Sequence, residues 1–69
     1  MLTKENVITA KFVNEEHTTI EVLYTTKDDD NAHVYVFEYD KDRDEMKQLE
    51  KAGWDLERIT EETEGYKRE

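Results

Sequence analysis

The sequence predicts a small α+β fold: a three-stranded antiparallel meander followed by a C-terminal helix, or two short helices, packed on one sheet face. Three observations carry this expectation. Apolar residues alternate with polar ones as far as Tyr39, the period lengthens to helical spacing after Asp42, and Gly53 interrupts the helical stretch.

The first strand is Val7–Val13, with Ile8, Ala10 and Phe12 on one side and Val7, Thr9, Lys11 and Val13 on the other. Asn14, Glu15, Glu16 and His17 form a polar hairpin loop. Thr18–Thr26 alternates most clearly, with Ile20, Val22 and Tyr24 opposite Thr19, Glu21, Leu23 and Thr25. Three consecutive aspartates, Asp28 to Asp30, repel one another and predict a loop over Lys27–Asn31. His33–Tyr39 resumes the alternation, with Tyr35, Phe37 and Tyr39 on one face and Val34, Val36 and Glu38 on the other.

Asp42 and Glu45 have the spacing of a capping box, and Met46, Leu49 and Ala52 follow along a helical stripe. Gly53 suits a left-handed cap. Beyond it, Asp55 can cap a second helix whose stripe is Leu56, Ile59, Thr63 and Tyr66. Trp54 would then close over Leu49 on one side and Ile59 on the other, making a structural corner of the three. The competing reading makes Trp54–Thr60 a fourth strand; its alternation is poor because Ile59 falls among acids, so the helix is preferred. Residues 65–69, ending in Lys67-Arg68-Glu69, are expected to fray.

The chain has 69 residues, with 19 acids against 10 Lys and Arg, a net charge of −9 and no cysteine. One domain, residues 1–69, accommodates this length, and such a domain buries only about 60% of its unfolded surface. Without a disulfide or a thiolate metal site, oligomerisation or docking is the remaining source of added stability. The opening Met-Leu-Thr-Lys-Glu-Asn lacks the basic start and apolar run of a secretory signal. No stretch approaches the ~20 apolar residues of a membrane span, so no membrane association is expected.

Catalytic patterns are missing. His17 and His33 lie beside loops in a chain with neither serine nor cysteine, which favours solvated histidines over a nucleophilic site. Asp40, Asp42 and Asp44 open like a calcium loop, yet the sixth and twelfth positions are Glu45 and Lys51 instead of Gly and Glu. No metal or cofactor site is expected, and the acidic balance argues against direct nucleic-acid binding. If helices cover the Ile8, Phe12 and Ile20 face, then Val7, Val13, Leu23, Val34 and Val36 stay uncovered opposite it. That aliphatic face predicts a protein partner or a homo-oligomer.

The order Val7–Val13, Thr18–Thr26 and Val34–Tyr39, then Met46-x-x-Leu49-x-x-Ala52-Gly53-Trp54-x-Leu56-x-x-Ile59 and Thr63-x-x-Tyr66, resembles small acidic proteins encoded by tailed bacteriophages. These are accessory or virion-associated proteins. The resemblance is one of hydrophobic pattern and brings no functional residue with it. It implies a non-enzymatic module, such as a minor structural or decorating component, in the host cytoplasm or the virion. The alternative it implies is an acidic inhibitor that imitates nucleic acid and blocks the basic groove of a host enzyme.

Overall fold

The structure is a computed structural model and describes residues 2–68. Its elements are β1 (Val7–Phe12), β2 (Thr19–Thr26), β3 (Asp29–Glu38), α1 (Arg43–Lys51), β4 (Trp54–Ile59) and β5 (Gly65–Lys67). The first three strands form the expected antiparallel meander in the order β1-β2-β3, and β4 pairs with β5 in a separate antiparallel ribbon. The fold is therefore α+β, with a single helix among the described residues.

Alternation in β2 produces the core directly. Ala10, Val22 and Tyr35 lie level across the sheet, as do Phe12, Ile20 and Phe37. Leu49 of α1, Ala52 at its C-terminal cap, and Trp54 and Leu56 of β4 complete one buried cluster with these strands. Two hydrogen bonds tie the helix to its surroundings. Leu2 N–H donates to Gln48 Oε1 at 2.9 Å, and Tyr35 O–H donates to Glu45 Oε1 at 3.0 Å.

Four expectations need correction. The second helix is instead β4 and β5. As a strand, this segment buries both Trp54 and Leu56 while exposing Glu57, and it returns along β1. Phe12 N–H donates to the Thr63 carbonyl at 3.1 Å, and Thr63 Oγ1 donates to the Phe12 carbonyl at 2.9 Å. A helix there would leave the outer edge of β1 unpaired. Residues 65–67 of the expected frayed tail are thus a strand; Glu69 lies outside the described residues.

The register supplies the second correction. Val7 pairs with Tyr24 and Thr9 with Leu23, so Ile8 is an extra residue in a β-bulge. The bulge reverses which residue faces inward: Val7 is 4% exposed and part of the core, whereas Ile8 is 49% exposed. Third, the aspartate loop is tighter than expected, because Thr26 pairs with Asp29 across a turn of Lys27 and Asp28. Asp29 Oδ1 accepts the Asn31 N–H at 2.9 Å, which organises the irregular start of β3.

Fourth, the capping box does not form. Asp42 stands at the start of α1 without a side-chain cap; its Oδ2 accepts the Glu38 N–H at 2.8 Å instead. Gly53 behaves as expected, ending the helical segment at φ +90°. Its carbonyl accepts the Arg68 N–H at 2.6 Å, joining the helix exit to the end of β5.

Candidate interaction surface

On the solvent face of the meander, the register aligns Thr9, Leu23 and Val34 in one row and Lys11, Glu21 and Val36 in the next. Leu23 and Val34 are direct cross-strand neighbours, and Val36 follows Val34 on the same face. Val34 is 57% exposed and Val36 52%. These three residues form the aliphatic patch.

Of the five residues expected on this face, Val7 is in the core for the reason given above. Val13 is exposed but lies at the far corner, where its N–H donates to the Thr19 carbonyl at 3.0 Å. Lys11 and Glu21, 4.0 Å apart as an ion pair, and Thr19 stand between it and the β3 valines. Ile8 joins the exposed aliphatic residues unforeseen, since a bulge without glycine leaves no mark in the sequence. The patch therefore concentrates on Leu23, Val34 and Val36, toward the β3 edge.

The corner residues are placed differently from one another. Trp54 and Leu49 are buried together, and Ile59 packs at the margin of the same cluster from the far end of β4. The Trp54 indole N–H is buried with no hydrogen-bond acceptor among the described residues. Beside it lies a hollow of ≈ 250 Å³, lined in part by Tyr39, Met46, Glu50, Asp55 and Arg68. The Arg68 guanidinium donates to Asp55 Oδ2 at 3.0 Å, and this bond holds the Asp55 carboxyl below its ordinary range. Arg68 is thus engaged on the rim.

The histidines lie at opposite ends of β2. His17, at φ 57°, occupies the β1–β2 turn with its ring 4.9 Å from that of Phe12. His33 stacks obliquely on Tyr24, and its Nε2 is 3.2 Å from Asp29 Oδ2 without hydrogen-bond alignment. The Asp29 carboxyl is held below its ordinary value, chiefly by the Asn31 N–H, with His33 adding to the effect. Among the described residues, no three His, Asp or Glu side chains are grouped to hold a metal ion, and no helix is long and apolar enough to cross a membrane.

Comparison of the chain with protein-family models, curated protein sequences and solved structures finds no match. The functional reading therefore rests on the surface geometry just described.

Proposed function

We propose that this protein is a non-enzymatic interaction module that docks on another protein through the Leu23, Val34 and Val36 patch. The observation carrying the reading is the clustering of these aliphatic side chains, two of them more than half exposed, on a sheet face that no other segment among the described residues crosses. In this reading α1 and the β4–β5 ribbon close the opposite face. The bacteriophage resemblance supplies a setting, that of a minor structural or decorating component of a virion, and detection of the chain in purified particles from its source tests that setting.

The docking face is tested with the double variant Val36→Glu, Leu23→Lys. Val36 is exposed but stands opposite Glu21, and Leu23 is half-buried, so circular dichroism first establishes that the double variant is folded. Tagged wild-type protein is used to capture its partner from the native source, and the folded double variant is expected to lose that partner. Retained capture by the variant, together with loss when surface acids are neutralised, overturns the reading in favour of an acidic surface that imitates nucleic acid.

A further inference from the structure

The two edges of the meander are treated differently. Along β1, the outward Phe12 N–H and carbonyl are both taken by Thr63, and Lys11 pairs with Glu64. Along β3, the hydrogen-bond alternation identifies which groups point outward. Tyr39 N–H donates to the Thr18 carbonyl at 2.7 Å, so odd-numbered His33, Tyr35 and Phe37 aim their backbone groups at β2. The backbone groups of Val34 and Val36 point away from it. At the next outward position the chain blocks its own edge: Glu38 N–H donates to Asp42 Oδ2, and the Glu38 carbonyl accepts the Asp42 N–H at 3.1 Å. Val34 and Val36 have no such partner among the described residues. The same two residues therefore present unpaired backbone groups at the edge and aliphatic side chains on the solvent face.

A second copy of the chain does not suit this edge. Antiparallel self-pairing of Val34 with Val34 brings Asp30 level with Glu38, while pairing of Val34 with Val36 or of Val36 with Val36 draws Glu38 into the ladder opposite Ala32 or Val34. The first register opposes acid to acid, twice over by symmetry, and the other two need the Glu38 backbone groups that Asp42 already takes. Asp28, Asp29 and Asp30 flank the free ladder on one side, Glu38 and Asp40 on the other, and the whole chain carries −9. This arrangement complements a strand with apolar residues at its centre and positive charge at both ends.

We infer that the β3 edge takes an extended, basic segment of a partner protein as a fourth antiparallel strand. The inference rests on the interaction-module reading and specifies the partner's chemistry. Residues of that segment opposite Val34 and Val36 exchange backbone hydrogen bonds with them and lay aliphatic side chains beside theirs. Lysines or arginines at its two ends meet the flanking acids. Backbone pairing supplies affinity, and the alternate side chains supply selectivity.

The test uses the full chain and a synthetic peptide, Lys-Arg-Val-Thr-Val-Thr-Val-Arg-Lys, followed by NMR amide shifts and hydrogen exchange. Binding is expected to protect the Val34 and Val36 amides. N-methylation of the peptide's valines, which removes the N–H groups facing β3, weakens binding by about tenfold or more, the equivalent of one or two net hydrogen bonds. N-methylation of its threonines, whose N–H groups face solvent, leaves binding unchanged. Equal binding by the two methylated peptides, with shifts centred on Leu23 and no protection of the Val34 and Val36 amides, overturns edge pairing while leaving the docking face intact. Failure of the unmodified peptide to bind at low salt also overturns it. Retention of the native partner by Val36→Glu, Leu23→Lys counts separately against the docking face.

Discussion

Gly65 provides a quantitative test of how the β4–β5 ribbon is joined to the sheet. A Cβ built there stands 2.3 Å from Leu56 Cδ2, 3.2 Å from the Asp55 carbonyl oxygen and 3.3 Å from the Ala10 carbonyl oxygen. Carbon atoms in contact prefer ~3.5–4.0 Å, so the first approach is well inside repulsion. Leu56 is only 5% exposed and cannot swing into solvent, while the two carbonyls close the other directions. Gly65→Ala must therefore repack Leu56 or lift β5 from β1. Overpacking of this kind costs about 1–3 kcal/mol, and lifting β5 sacrifices two Thr63–Phe12 hydrogen bonds worth ~1 kcal/mol net each. The expected loss is about 2 kcal/mol by either route, from a total of roughly 3.5–10 kcal/mol for a chain of this length. Urea unfolding should show a lower midpoint with an unchanged slope, and hydrogen exchange should speed at the Phe12 amide. In a Leu56→Val background, which lacks the clashing δ carbon, Gly65→Ala should cost markedly less. A loss below ~0.5 kcal/mol in the wild-type background would refute the packing argument.

Trp54→Ala is expected to cost ~3–5 kcal/mol by leaving a cavity, whereas Trp54→Phe should cost far less, because it also removes a buried donor that has no acceptor. Chemical denaturation of both variants checks the ratio, and equal losses would show that the indole N–H is satisfied. For Asp55, the Arg68 bond lowers the folded carboxyl below its ordinary 3.8, so the contribution is complete above that value and is lost as pH falls through the lowered one. Arg68→Gln should accordingly destabilise the protein near neutrality, with the gap from wild type closing in acid, as followed by acid-unfolding curves. Tyr35 has the opposite sign: the Glu45 hydrogen bond is the chief cause raising its phenol above 10.0, so that contribution is present below the ordinary value and lost as pH rises through the folded one. In a tyrosinate absorbance titration, Glu45→Ala should return one tyrosine toward ordinary behaviour.

Much of the fold was legible because the meander obeys a strict local rule. Ile20, Val22 and Phe37 declare their inward face by alternation alone, and Gly53 marks the helix exit through its backbone freedom. The errors arose where a distant partner decided between local options. Asp55 as a cap with Leu56 and Ile59 on a stripe fits a helix locally as well as the same residues fit an irregular strand. The decision falls to Thr63 and Glu64, which find β1 more than fifty residues away in sequence. Asp42 is a competent helix cap drawn instead to the Glu38 N–H. The patch was legible in Leu23, Val34 and Val36 because β2 and the regular part of β3 keep their phase. Val7 was misplaced because one inserted residue, Ile8, reverses a two-residue period without any change in composition.

The irregular ribbon helps determine how many partners the meander can take. A three-stranded sheet has two edges, and with both open each chain could join two neighbours, which permits head-to-tail growth without closure. Here the return through Thr63 and Glu64 occupies the β1 edge, and the acids around β3 oppose pairing with a like chain. The docking proposed for the remaining edge would then terminate at one strand per chain. On this argument Gly65→Ala has a second consequence: if β5 lifts, β1 becomes available and the stoichiometric limit is lost. Light scattering on the variant under conditions where it stays folded should detect more self-association than in the wild type measured alongside. A variant measurably destabilised yet no more self-associated than the wild type would mean that the ribbon serves only to complete the core through Trp54 and Leu56.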